Sequence, residues 1–240
     1  MTTKIEPVSH RVVDRPTWLA ARAELLAEEK AFTAARDALS AKRRAMPLAR
    51  VDKPYRFFGP QGETTLLGLF AGKQQLALWH FMFAPDWEKP CKSCSFWADG
   101  YNGVAAHMAH RDTSLVAASR APYEKLVATA GRMGWTFPWF SCEDAFAEDF
   151  NVSFSPEQIA SGEVTYNYRK TSMRMSDLPG FSAFIRDGET VFHTYSTYER
   201  GLDMMNVAYQ MLDLNALGRQ EHGPGNPMSW VRLRGEYPDG

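Results

Sequence analysis

The sequence predicts an α/β three-layer sandwich around a mixed central sheet, preceded by a long N-terminal helix. Three observations carry this reading. Residues 76–83 and 114–119 are apolar runs without polar alternation, as in strands covered on both faces. A helical pattern follows each run, so right-handed parallel crossovers are expected. Later, 181–186 and 190–195 flank Asp187-Gly188, a hairpin signal that adds antiparallel strands.

Taken in order, residues 1–15 read as an extended lead-in. Asp14 or Thr17 caps a helix over 18–46 that Pro16 helps to start. Trp18, Leu25, Leu26, Phe32 and Leu39 recur there at spacings near three, four and seven. So long an amphipathic helix must pack on the main domain or on a second subunit. Strands are expected at 55–58 and 64–70, with turns at 59–62 and 71–73. A helix over 94–108 must be kinked or interrupted by Gly100 and Gly103. A helix over 122–133 stops at Gly134. The strand over 135–141 contains Pro138, which argues for an edge position or an early end. A short helix over 144–150, a capped turn at 155–158, a strand over 164–168, the hairpin and a helix over 201–214 complete the domain. The division is an N-terminal helical extension (1–50), the α/β domain (51–217) and a tail (218–240), loosely ordered except around 230–233.

Composition narrows the partners. A net charge of -1 argues against nucleic acid or an anionic membrane, and no apolar run is long enough to span a bilayer. The N-terminus has no apolar signal core, so a cytoplasmic location is expected. Neither a G-x-G-x-x-G nor a P-loop is present, and no cofactor is expected.

Chemistry centres on Cys91-Lys92-Ser93-Cys94, placed after a buried strand and opening a helix. Such a pair does thiol–disulfide exchange, binds a metal, or is inert. Unpaired N–H groups at a helix start lower a thiol pKa from about 8.5 toward roughly 3.5–7.5. Cys91, at the turn, is the expected attacker and Cys94 the resolver, with Lys92 adding positive charge beside the thiolate. Trp87 and Pro90 would form an apolar lip. His107 and His110 complete a C-x2-C-x12-H-x2-H spacing, but a zinc finger needs its own hairpin before the helix. Copper is the metal alternative, with Cys91, Cys94 and His193, or His80, as ligands. Arg120 follows a parallel strand at the sheet edge where ligands collect, and is a candidate for fixing an oxyanion or peroxide. Cys142 reads as a buried bystander, and Asp86 and Glu88 as candidates for proton transfer. An interaction module with incidental cysteines is the non-catalytic alternative.

Strand–CxxC–helix resembles the opening of the thioredoxin fold. By that resemblance Pro179, preceding the strand at 180–186, is the cis-proline that faces the CxxC. SLVAASRAPYEKLVATAGRMGWTFPWFS is similar to the peroxiredoxin branch. HFMFAPDWEKPCKSCSFWAD, SRAPYEKL, GWTFPWFS, VFHTYSTYERGLD and WLAARAELLAEEK resemble the DUF899 family of thioredoxin-like proteins over nearly the whole chain. That family is described, largely on its fold, as dithiol–disulfide isomerases. The resemblance implies a disulfide-containing protein or a small thiol or peroxide as substrate, and a separate reductant. A homodimer through the N-terminal helix is a further expectation. Two features depart from the related patterns. The peroxiredoxin motif P-x-x-x-[ST]-x-x-C is absent, and Pro90 stands where thioredoxin has tryptophan.

Overall fold

Arg15–Arg44 forms α1, capped by Asp14, whose carboxylate accepts from the Thr17 N–H (2.9 Å). Lys42, Arg43 and Arg44 occupy its last turn, where cations suit the helix dipole. The computed structural model describes residues 11–222 and 224–238, so most of the lead-in lies outside the described residues. No residue of α1 is buried, and among the described residues its apolar stripe has no cover.

The strands follow as β1 (Ala49–Arg50), β2 (Arg56–Gly59), β3 (Gly62–Thr65) and β4 (Gln75–His80). Then come α2 (Lys92–Ala98), α3 (Tyr101–Ala109), β5 (Thr113–Ser119), α4 (Tyr123–Met133), β6 (Trp139–Cys142), α5 (Asp144–Asp149) and α6 (Pro156–Ser161). The chain ends with β7 (Val164–Tyr166), β8 (Arg169–Thr171), β9 (Gly180–Asp187), β10 (Thr190–Tyr198) and α7 (Val207–Leu212). Eight strands make one mixed sheet in the order β1-β10-β9-β4-β5-β6-β2-β3, while β7 and β8 pair separately.

β4 and β6 run parallel to β5, and β9 and β10 are antiparallel additions beside β4. A strand, a helix beginning at the cysteine pair, a parallel strand and a closing hairpin with its helix is the thioredoxin-like connectivity. Trp79, Trp97, Leu126, Trp139 and Tyr209 fill one face of the sheet, under α2–α4 and α7. Phe57, Leu78, Phe146, Phe150 and Phe184 fill the other, under α5. These are the three layers of the sandwich.

Several expectations need correction. Pro138 does not mark an edge. β6 lies inside the sheet and begins after Pro138, so the missing N–H costs no ladder bond, and its carbonyl accepts from Ala117 (2.9 Å). The strand at 64–70 is only β3, with Leu69 and Phe70 buried in a 3-10 turn at Gly68–Phe70. The strand at 164–168 is half of a hairpin, because Asn167 and Tyr168 both adopt positive φ (50° and 60°) and turn the chain. The closing helix splits into a 3-10 segment at Glu199–Met205 and α7, where Asn206 is extended and caps the Tyr209 N–H (3.0 Å). Around 230–233, as expected, the tail is ordered, with Val231 and Leu233 buried in the core.

Candidate functional site

The site lies at the C-terminal edge of β4, where the backbone leaves the sheet. Phe81 donates to Ala118 O (2.9 Å) and accepts from Ser119 Oγ (2.7 Å), so the loop leaves in a fixed direction. Lys125 Nζ holds the Pro85 and Trp87 carbonyls (2.7 and 3.2 Å). Cys91 N–H then donates to Met82 O (3.1 Å), closing the loop under the first cysteine.

Cys91 is the N-cap of α2, and its sulfur accepts from the Cys94 N–H (3.5 Å). It is half-buried, Cys94 is buried, and both thiols are free. The Cys94 S–H is the main group that lowers the Cys91 pKa, to about 7. Burial opposes the shift, and Cys94 N–H with the Ser93 backbone and side chain adds to it. The Cys94 thiol moves the other way, driven up by burial first and by the neighbouring Cys91 second. Its sulfur accepts from the Met82 N–H (3.5 Å). One thiolate near neutrality sits beside one retained proton.

Lys92 is placed differently from its expected role. Its ammonium donates to Ser229 O (3.2 Å), tying α2 to the tail, and it is not among the groups that lower Cys91. Arg120 is also committed. Its fork grips Asp177 (2.8 and 2.9 Å), and Nη1 holds Asp144 (2.9 Å). Pro179 lines a cavity with Ser93 and Cys94, and Cys91 is not among the residues that line it. The cis-peptide expectation is corrected: every described peptide bond is trans. The Pro179 segment is held by Asp177 on Arg120 and by Tyr166 Oη donating to Pro179 O (2.7 Å).

The copper set is not assembled. His193 packs on Phe150 and Phe184, on the sheet face opposite the core that holds Cys94. It is engaged in a buried chain in which His80 Nε2, Ser182 Oγ, Ser196 Oγ and His193 Nε2 meet at 2.8, 2.7 and 2.7 Å. Burial lowers the His80 pKa to about 3, so this is a neutral core imidazole. Among the described residues no three His, Cys, Asp or Glu side chains could together hold a metal. His107, His110, Asp86 and Glu88 are exposed. Cys142 is buried on the His80 face, its thiol pushed up to about 12 chiefly by burial.

Beside Cys94 lies a cavity of about 380 Å³. Trp79, Met82, Trp97 and Leu202 form its apolar floor, and Met228 of the tail supplies part of its wall. Trp79 and Asp177 are the residues that sequence reasoning missed. Trp79 reads as plain core inside an apolar strand, and Asp177 has no local signal for a partner 57 residues away.

A family model described as "Bacterial protein of unknown function (DUF899)" matches residues 7–237. No curated protein matches. Among solved structures, peroxidoxin BcpB from Mycobacterium tuberculosis is similar at 16% identity and a TM-score of 0.41, over 62% of this chain and 86% of that one. A mutant of peroxiredoxin Q from Xanthomonas campestris aligns at 13% identity and 0.41, over 68% and 90%. A mutant of PrxQ from Xylella fastidiosa aligns at 13% and 0.39, over 67% and 89%. Likeness this remote carries no reaction from those proteins to this one.

Proposed function

We propose that this chain, which belongs to the DUF899 family of bacterial proteins, is a thiol–disulfide oxidoreductase working through Cys91 and Cys94. The observation that carries the reading is the placement of the pair: the free, half-buried Cys91 caps α2 and its sulfur accepts from the Cys94 N–H (3.5 Å), while the free Cys94 is buried beneath it. That setting lowers the Cys91 pKa and raises that of Cys94. A nucleophile poised near ambient pH, with a protonated resolver beside it, is what exchange requires. The Cys91 thiolate attacks a substrate sulfur, forming a mixed disulfide and expelling a thiolate. Cys94 then gives up its proton and displaces the remaining substrate sulfur from Cys91. Two electrons pass to the substrate, and an external dithiol restores the enzyme. Such a pair acts as a reductant in a reducing compartment such as the cytoplasm. Peroxide reduction is the less supported reaction, because the guanidinium that would steady a peroxide is held by Asp177 and Asp144.

The test is reduction of bis(2-hydroxyethyl) disulfide at the expense of dithiothreitol. Wild-type protein should exceed Cys91→Ser by about tenfold or more, a clear loss of transition-state stabilisation. Cys94→Ser should accumulate a mixed disulfide on Cys91, visible as added mass. Equal rates for wild type and Cys91→Ser would sink the reading.

A further inference from the structure

The cavity beside Cys94 is walled by apolar side chains and carries one carboxylate that no cation meets. Met82, Trp97, Leu202 and Met228 form the apolar wall. At about 380 Å³ the cavity falls among small-molecule sites, which run from roughly 300 to 1,000 Å³. Its charged lining sets two arginines, Arg200 and Arg219, against three carboxylates, Glu199, Asp203 and Glu221. Both arginines are engaged by aspartates. Arg219 holds Asp203 (2.8 Å) and Asp213 (2.6 Å), and Arg200 holds Asp203 (2.6 Å). Glu199 is met by Arg169 (2.7 Å). Glu221 differs from these. It accepts from two neutral donors, Tyr209 Oη (2.7 Å) and Trp230 Nε1 (2.8 Å), and both bonds fall on Oε1. Among the described residues no cation pairs with it, and its Oε2 is neither hydrogen-bonded nor buried.

We infer that the cavity is a binding site for a small protonated amine with an apolar body, its ammonium on Glu221 Oε2 and its carbon skeleton against Met82, Trp97, Leu202 and Met228. Glu221 is half-buried, and two fixed donors aim its carboxylate, so it is one half of an ion pair awaiting the other. A hydrogen bond between an ammonium and a carboxylate is stronger than one between neutral groups. An anion has no such partner. To be held it would have to displace an aspartate from Arg200 or Arg219, and it would face the charge of Glu221. A neutral ligand gains the apolar wall but leaves that charge unmatched. Tyr209 and Trp230 act as positioning residues, Trp230 bringing the tail to the site. The inference goes beyond the thiol chemistry and does not depend on it, since binding makes and breaks no covalent bond and uses neither sulfur.

Three probes with the same apolar part test this by isothermal titration calorimetry on the reduced protein at neutral pH. They are phenethylamine, a cation, phenethyl alcohol, which is neutral, and hydrocinnamate, an anion. Wild-type protein should bind the amine about tenfold or more tightly than the alcohol, as a charge-assisted bond in place of a neutral one implies, with hydrocinnamate weakest. Glu221→Gln keeps an amide oxygen for Tyr209 and Trp230 and removes only the charge. It should bring the amine to within about twofold of the alcohol. Met228→Trp, which fills the cavity, should weaken amine and alcohol in parallel. A wild-type protein that binds the amine no more tightly than the alcohol, or hydrocinnamate best of the three, would overturn the inference. So would a preference for the amine that survives in Glu221→Gln. An amine affinity unchanged in Met228→Trp would put the cation outside the cavity and overturn it as well. Each of these results leaves disulfide turnover by Cys91 to its own assay, so the two readings fail separately.

Discussion

Cys91 and Cys94 share a helix start, yet the proton is worth different amounts at each sulfur. Cys91 receives the Cys94 S–H and nearby N–H groups, which favour its thiolate, while burial dominates at Cys94 and favours the thiol. The rate of Cys91 alkylation by iodoacetamide should therefore rise with pH through a midpoint near about 7. Cys94→Ala removes a donor that stabilises the thiolate, so the thiol gains and the midpoint moves upward, toward the free-cysteine value of about 8.5. An unmoved or lower midpoint would show that backbone N–H groups alone set the thiol. The pair and its order were legible because strand, loop and helix start are local signals. The group that tunes it was not. Lys92 lies next to Cys91 in the chain but reaches toward a carbonyl 137 residues away.

At the scale of elements, the site is a meeting of two loops, and long-range bonds aim the second one. Leu178 N–H donates to Val152 O (2.9 Å), Tyr166 holds Pro179 O, and Asp177 is clamped by Arg120. Arg120 and Asp177 side chains are 14% and 6% exposed, so solvent screens the pair little. Asp177→Asn leaves a mostly buried guanidinium short of charge and should cost about 3 kcal/mol in urea unfolding. Disulfide reduction should slow as the Pro179 segment loosens, with the Cys91 alkylation midpoint unmoved. Unchanged stability would mean that Asp144 alone satisfies Arg120. Arg120 was legible as a residue at the ligand edge of a parallel strand, but its partner was not, since nothing local marks Asp177. The Asp187-Gly188 hairpin was legible for the opposite reason: Gly188 adopts φ 58°, a turn conformation that glycine accepts without strain. Asn167-Tyr168 turns the chain with two non-glycine residues and carries no such flag.

For the whole molecule, the unresolved demand is the apolar stripe of α1. A 30-residue helix spans about 45 Å, and Trp18, Leu25, Leu26, Phe32 and Leu39 along it are exposed, Phe32 to 70%. The sheet carries a matching demand, an open groove lined by the part-exposed Met108, Phe181, Ala183, Ile185 and Tyr195. Met46 and Leu48 line that groove just where α1 ends, so the helix of the same chain adjoins the groove without burying its own stripe there. Each chain thus holds an unmet helix and an unmet groove. A two-fold pair satisfies both at once, because each copy lends its helix to the other's sheet. We infer that the partner of α1 is a second copy of the chain. Light scattering on the eluting protein should give twice 27.1 kDa. Leu25→Glu with Phe32→Glu should halve that mass and leave Cys91 reactivity intact, since both residues lie on α1, outside the folded core. A wild-type protein that elutes as a monomer at about 100 µM, well above the micromolar affinities of ordinary specific pairs, would refute the exchange of helices. In that case the stripe would have to be covered by a different protein, because exposed apolar surface of this extent marks a contact.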